Sequence, residues 1–167
     1  VITTGPFGYT SSALQILLKK KKSTRKFSNI AKTKFFQPIP RLKFGIACKN
    51  LLSSSIDSSD GLSSCLQELS ASSKKRFVIT KFPVKDDVKD FVSMNKLDLK
   101  DIILNGGEEF ELVCTVPSKN LEKVKRNAKK LKVDLYEIGI VTRGKHVILK
   151  DSTGQSRIID DGWLHFQ

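Results

Sequence analysis

Histidine is nearly missing from this chain: only His146 and His165 occur in 167 residues. Neither a Ser-His-Asp order nor a Cys-His pairing can be assembled from them, which excludes nucleophilic catalysis of that design. Cysteine is scarce too. Cys48, Cys65 and Cys114 are odd in number and widely spaced. They fit no zinc or disulfide framework, and buried reduced thiols in a cytoplasmic protein are expected. Long apolar runs are absent, so no segment reads as a membrane span. The opening "VITTGPFGYT" shows no basic stretch followed by an apolar one, so no secretory leader is read there. Prolines are few and 39% of residues are hydrophobic, which excludes a disordered chain and allows one domain with a real core.

Basic residues are what the chain has in excess. Thirty Lys and Arg against seventeen Asp and Glu give a net charge of +13. Such a balance attracts phosphorylated ligands, nucleic acid or anionic surfaces. The densest cluster is "LLKKKKSTRK", with "SSKKR" and "KVKRNAKKLK" further on. Neither an RNA-recognition signature nor an aromatic stacking platform accompanies these lysines, so solvated faces are the expected reading and nucleic acid is not favoured as a partner. Residues 19–35 read as a helix end followed by a mobile Lys-rich loop.

The apolar pattern predicts alternating strands and helices. "VITT" is β-like, and Leu14, Leu17 and Leu18 recur at helical spacing, with Thr10 or Ser11 as the N-cap. "QPIPRLKF" is extended because residues before proline avoid the α region. "FGIACKNLL" forms a short helix using Ile46, Ala47 and Leu51. Leu62, Cys65, Leu66 and Leu69 make a clear helix face. "RFVIT" is a strand, and "DDVKDFVSMN" is a helix turning Val88, Phe91 and Val92 inward. "LKDIILNGG" ends in a helix with Gly106 or Gly107 suited to the position after the cap. In "EEFELVCTV", Phe110, Leu112, Cys114 and Val116 alternate with Glu109 and Glu111, which are placed on the opposite, solvated face. A helix with Leu121, Val124, Ala128 and Leu131 inward follows, then a terminal antiparallel run of strands. The expected fold is one α+β domain, a mixed β-sheet covered by α-helices.

Four stretches could carry chemistry. In "SSIDSSDGLSSCL", Asp57 and Asp60 flank Ser59 just before a helix. Either Asp60 or Ser59 is the N-cap, or the two carboxylates offer hard oxygens to a cation such as Mg²⁺ beside a phosphate. In "NGGEEFEL", Glu108 stands at the mouth of a strand, either as a solvated acid after a glycine cap or as an acceptor for a ligand. In "DDGWLHF", Trp163 either packs the tail on the core or offers a face to a planar ligand. "TTGPFG" matches neither GxGxxG nor a P-loop, and its glycines read as structural.

Taken together and in order, these pieces resemble the C-terminal domain of the thiamine-monophosphate kinase family, within the superfamily named for aminoimidazole ribonucleotide synthetase. The matching residues are "VITTGPFG", "PIPRL" with "FGIA", "IDSSDGL", "NGGEEFEL", "IGIVTRG" and "GWLHF". Any one is modestly specific; six in register are quite specific. Ser58, Asn105 and Phe110 depart mildly from the family's usual residues. The resemblance implies ATP-dependent phosphorylation of thiamine monophosphate to thiamine diphosphate. It implies Asp57 and Asp60 as Mg²⁺ ligands, Ser59 as an ATP contact, and Glu108 and Trp163 as contacts to thiamine monophosphate. It also implies that an N-terminal ATP-binding domain is absent from the chain, that the complete enzyme is a homodimer, and that residues 1–167 alone are inactive. The alternatives are another ATP-dependent member of the superfamily, or a basic module that binds nucleic acid without catalysis.

Overall fold

The computed structural model describes residues 1–151 and 154–157. The "DDGWLHF" tail, with Trp163, therefore lies outside the described residues. The α+β expectation holds, and the strands divide between two four-stranded sheets. The first contains β1 (Ile2–Thr3), β2 (Ser54–Asp57), β4 (Leu112–Thr115) and β5 (Tyr136–Glu137) in the order β2-β4-β1-β5, with every pairing antiparallel. The second contains β3 (Arg76–Ile79), β6 (Gly139–Thr142), β7 (Val147–Asp151) and β8 (Gly154–Arg157) in the order β6-β3-β7-β8. Here β3 pairs antiparallel with β6 but parallel with β7. The last strands are therefore not one continuous antiparallel run. β3 inserts between β6 and β7 because Phe77 and Ile79 are fully apolar on their inner face and buried, which suits a central strand paired on both edges.

Seven α-helices are described: α1 (Tyr9–Lys19), α2 (Arg25–Phe36), α3 (Leu42–Cys48), α4 (Leu62–Ser73), α5 (Asp86–Met94), α6 (Leu99–Leu104) and α7 (Leu121–Lys130). None of them is long and apolar enough to cross a membrane. Three buried clusters hold them, two against the sheets and one among helices. Phe7, Leu62, Leu66, Phe77, Ile103 and Val113 join α4 and α6 to both sheets. Ile2, Phe44, Cys48, Cys114, Val124 and Ala128 form a second cluster under α3 and α7. Neighbouring β4 residues Val113 and Cys114 thus belong to different clusters, so the first sheet is covered on both faces. The third cluster packs α1, α2 and α5, with Tyr9, Phe27 and Phe91 stacked at centroid spacings of 5.9 and 5.0 Å.

Three local expectations change. Residues 25–36 are helical, not a loop; only 20–24 form the connection. Thr24 caps this helix by accepting the Phe27 N–H at 3.2 Å, and Phe27 and Ala31, one turn apart, are its buried pair. Ile30 and Phe35, partly buried, pack beside them, so an apolar stripe at helical spacing docks the helix. Helix α1 enters the core by its first turn: Tyr9 to Ala13 are buried, while Leu17 and Leu18 are exposed. Its N-cap is Gly8 at φ 98°, not Thr10 or Ser11, because the helix begins at Tyr9 and both hydroxyl residues lie inside its first turn. In α3 the buried residues are Phe44 and Cys48, while Ile46 faces solvent.

Candidate active site

The sheet register brings three of the four chemical motifs to one rim. Asp57, the last residue of β2, pairs with Leu112, the first of β4. Thr4, just after β1, donates its N–H to Leu112 O at 3.1 Å. The segments 4–8, 57–61 and 105–111 consequently leave the same edge of the first sheet side by side. Two of them are laced together through their backbones. Ser58 N–H donates to Glu111 O at 2.9 Å, Glu111 N–H donates to Ser58 Oγ at 3.0 Å, and Glu108 N–H donates to Ser59 O at 2.8 Å. Glycine makes this closeness possible: a Cβ on Gly107 would lie 2.6 Å from Ser59 O, and one on Gly106 would coincide with Ser11 Oγ.

Asp57 is exposed, Ser58 fully buried, and Ser59 and Asp60 half-buried. The loop thus turns its two carboxylates and Ser59 outward while Ser58 anchors it. Asp57, Ser59 and Asp60 line an open cleft of about 570 Å³ together with Ser64, Gln67 and Glu68 of α4. The N-cap position of α4 is Gly61 at φ 95°, so neither Asp60 nor Ser59 occupies it. Cys65, in the first turns of α4, donates its thiol to Asp57 O at 3.2 Å. Burial pushes that thiol up to about 12, and the charges of Asp57 and Asp60 add to the effect.

Among the described residues no three His, Cys, Asp or Glu side chains gather as a metal cluster. The donor set nonetheless suits Mg²⁺, which takes one or two carboxylates and completes its shell with phosphate oxygens and water. Asp57 and Asp60, both lining the open cleft, supply the carboxylates of such a set. Glu68 is an acid on the cleft wall that the motif reading passed over; its spacing from Ser64, one turn along α4, is the signal that places it there.

Glu109 and Glu111 are the main correction. They were expected on a solvated face, but both are buried, at 8% and 3% exposure. The regular alternation fails because Glu108 and Phe110 adopt left-handed backbone, at φ 66° and 50°, and because β4 begins only at Leu112. Such residues cost about 1–2 kcal/mol each, so surrounding contacts must hold them. Glu109 Oε1 accepts the N–H groups of Gly8 and Thr10 at 2.6 and 3.2 Å, at the start of α1. Burial raises the Glu109 carboxyl to about 7, and those N–H donors and Lys34 only partly offset it. Glu111 receives Arg41 as a fork, Nε to Oε2 and Nη2 to Oε1, each at 2.6 Å. Thr4 Oγ1 adds a third donor at 2.8 Å. Hydrogen bonding to Glu111 raises the Arg41 guanidinium further above its already high value. Arg41 had been noticed only as part of "PIPRL", with no role.

Of the sequence-selected residues, the rim brings Asp57, Ser59, Asp60 and Glu108 together, and Trp163 lies outside the described residues. The class so defined is an α+β domain whose first sheet presents, at one end, two acids on a loop tethered against glycines.

Residues 5–152 match the family described as AIR synthase related protein, C-terminal domain, and the chain belongs to that family. It is 43% identical over 167 residues to the thiamine-monophosphate kinase of Nitrosopumilus maritimus, covering 100% of this chain and 53% of that protein. It is 36% identical over 169 residues to the thiamine-monophosphate kinase of Pyrococcus horikoshii, covering 100% of this chain and 50% of that protein. The chain thus spans about half the length of the curated relatives it matches. Among solved structures, "AaThiL complexed with AMPPCP and TMP" superposes with a TM-score of 0.81 at 24% identity, over 99% of this chain and 50% of that one.

Proposed function

We propose that this chain is the C-terminal domain of an ATP- and Mg²⁺-dependent thiamine-monophosphate kinase, which makes thiamine diphosphate. The carrying observation is the Glu108 N–H···O=C Ser59 bond of 2.8 Å. It holds the proposed substrate contact, Glu108, against the proposed metal and nucleotide loop, as a transfer between two bound phosphates requires. The kinase relatives, and the nucleotide analogue and TMP named for the superposed structure, support the same reading.

In this reading Asp57 and Asp60 hold Mg²⁺ with their outward carboxylates. A bound Mg²⁺ would neutralise phosphate charge and favour in-line phosphoryl transfer. Ser59 lies between the two acids and contacts ATP. Buried Ser58 and the Cys65 thiol keep the loop from retreating. The start of α4 behind it adds a partial positive charge that favours phosphate. Glu108 orients thiamine monophosphate, and Trp163 packs on its cationic ring. Because the relatives are about twice as long, the remaining metal and ATP contacts come from a further domain. The complete enzyme works as a cytoplasmic homodimer, and residues 1–167 alone do not turn over.

The decisive test is Asp57→Asn in the complete enzyme. ADP release that depends on thiamine monophosphate and Mg²⁺ should fall by about a hundredfold or more, the scale of losing a charge partner for the transferring group. Unchanged turnover would remove the metal assignment. Turnover by the 1–167 chain alone would remove the requirement for the further domain.

A further inference from the structure

Arg41 is not among the residues that line the cleft, yet its hydrogen bonds lead to them. Its guanidinium, 21% exposed, forks onto a Glu111 carboxylate that is 4% exposed. Residues 41 and 111 stand 70 positions apart in the chain. The backbone of that same Glu111 exchanges two hydrogen bonds with Ser58, the buried residue between Asp57 and Ser59. The Glu111 carboxylate is also held by Thr4 Oγ1, and it lies against Gly5, where a Cβ would sit 2.2 Å from Oε1. Glu111 is thus clamped on its side chain by Arg41, Thr4 and Gly5. Through its main chain it passes that fixed position to the Asp57–Asp60 loop.

An ion pair with one buried and one half-buried partner is a poor device for stability, since apolar replacements of similar volume often do as well. It is a good device for geometry, because a planar fork fixes both distance and orientation. The surroundings give it something to position. Left-handed Glu108 and Phe110 make the segment before β4 a zigzag that would relax without restraint, and any shift of Glu111 carries Ser58 with it. We infer that Arg41 and Glu111 are positioning residues that set the spacing of Asp57 and Asp60 for a divalent cation, acting through Ser58.

This rests on the reading of Asp57 and Asp60 as metal ligands, and the test separates the two. Mn²⁺ serves as the probe, titrated into the complete enzyme without nucleotide and followed by electron paramagnetic resonance, with thermal midpoints measured alongside. Arg41→Lys keeps the charge but loses the fork. The paired change Arg41→Leu with Glu111→Leu removes both buried charges at once. Both variants should bind Mn²⁺ about ten- to a hundredfold more weakly, the usual effect of losing a partner that orients a metal ligand. Asp57→Asn should weaken binding at least as much. If Asp57→Asn binds Mn²⁺ like the parent, the metal reading fails. If Asp57→Asn is impaired while folded Arg41→Lys stays within about twofold of the parent, the positioning role fails and the metal reading stands. Should the paired variant not fold, Arg41→Lys alone decides.

Discussion

Gly5→Ala is the sharpest probe of how the rim is held. A Cβ built on Gly5 meets Glu111 at 2.2 Å from Oε1, 2.3 Å from Cδ and 2.7 Å from Oε2. A free glutamate would swing aside at small cost. This one is held by two Arg41 bonds of 2.6 Å and a Thr4 bond of 2.8 Å. Ordinary contact needs about 3.5 Å, so the carboxylate must retreat by roughly 1 Å. That stretches the Arg41 bonds beyond the ~3.2 Å limit of a good hydrogen bond. Overpacking costs about 1–3 kcal/mol, and breaking a buried pair costs about 3–5 kcal/mol. The gain from a stiffer unfolded chain offsets only about 0.4–1 kcal/mol. The low end of those ranges nets a loss of about 3 kcal/mol, read from urea unfolding of the 167-residue chain by circular dichroism. At about 2–4 °C per kcal/mol for a domain of this size, the melting point drops by about 6–12 °C. In a Glu111→Ala background the added methyl has room, and the same substitution should cost under about 1 kcal/mol. A Gly5→Ala change within about 0.5 kcal/mol of the parent, or equal costs in both backgrounds, would refute the clamp.

Two other outcomes follow from buried groups. Glu109 is held near 7 in the folded chain, against 4.5 when unperturbed, so the folded state keeps a proton that the unfolded state has released. Stability should therefore fall by about 3 kcal/mol as pH rises from about 4.5 to 7, and Glu109→Gln should flatten that slope in urea titrations at several pH values. A slope unchanged by Glu109→Gln would place the titration elsewhere. Cys48, Cys65 and Cys114 are all buried, and burial pushes Cys65 to about 12 and Cys114 to about 11. A disulfide reagent at pH 8 should leave the native thiols largely untouched and label three per chain in guanidinium; a rapid native reaction would show that one thiol is open.

Where each expectation succeeded depends on the range of the force behind it. Helices α4, α5 and α7 were legible because their apolar spacing repeats every turn, and Leu62, Leu66, Val88, Phe91, Val124 and Ala128 are buried as read. Helix α2 was missed because the lysine-rich run from 19 to 26, continued by Lys32 and Lys34, hid the helical spacing of Phe27, Ile30, Ala31 and Phe35. The exposure of Leu17 and Leu18 could not be read either, since nothing local says which end of α1 enters the core. Glu109 and Glu111 looked solvated because alternation assumes regular β backbone, and Glu108 and Phe110 leave it.

Asp57, Ser59, Asp60 and Glu108 were legible as candidates: their types left a structural and a chemical reading open, and the order of the motifs that carries the family resemblance favoured the chemical one. Their convergence was not legible. It depends on β2 and β4 pairing so that Asp57 meets Leu112, on Ser58 locking to Glu111, and on Arg41 reaching the Glu111 carboxylate from another element. Each of these joins residues far apart in the chain, and such contacts form only when burial removes water and makes every unpaired polar group costly. Residue types and motif order marked the candidate acids; the packed interior decided which of them face the cleft and which are buried behind it.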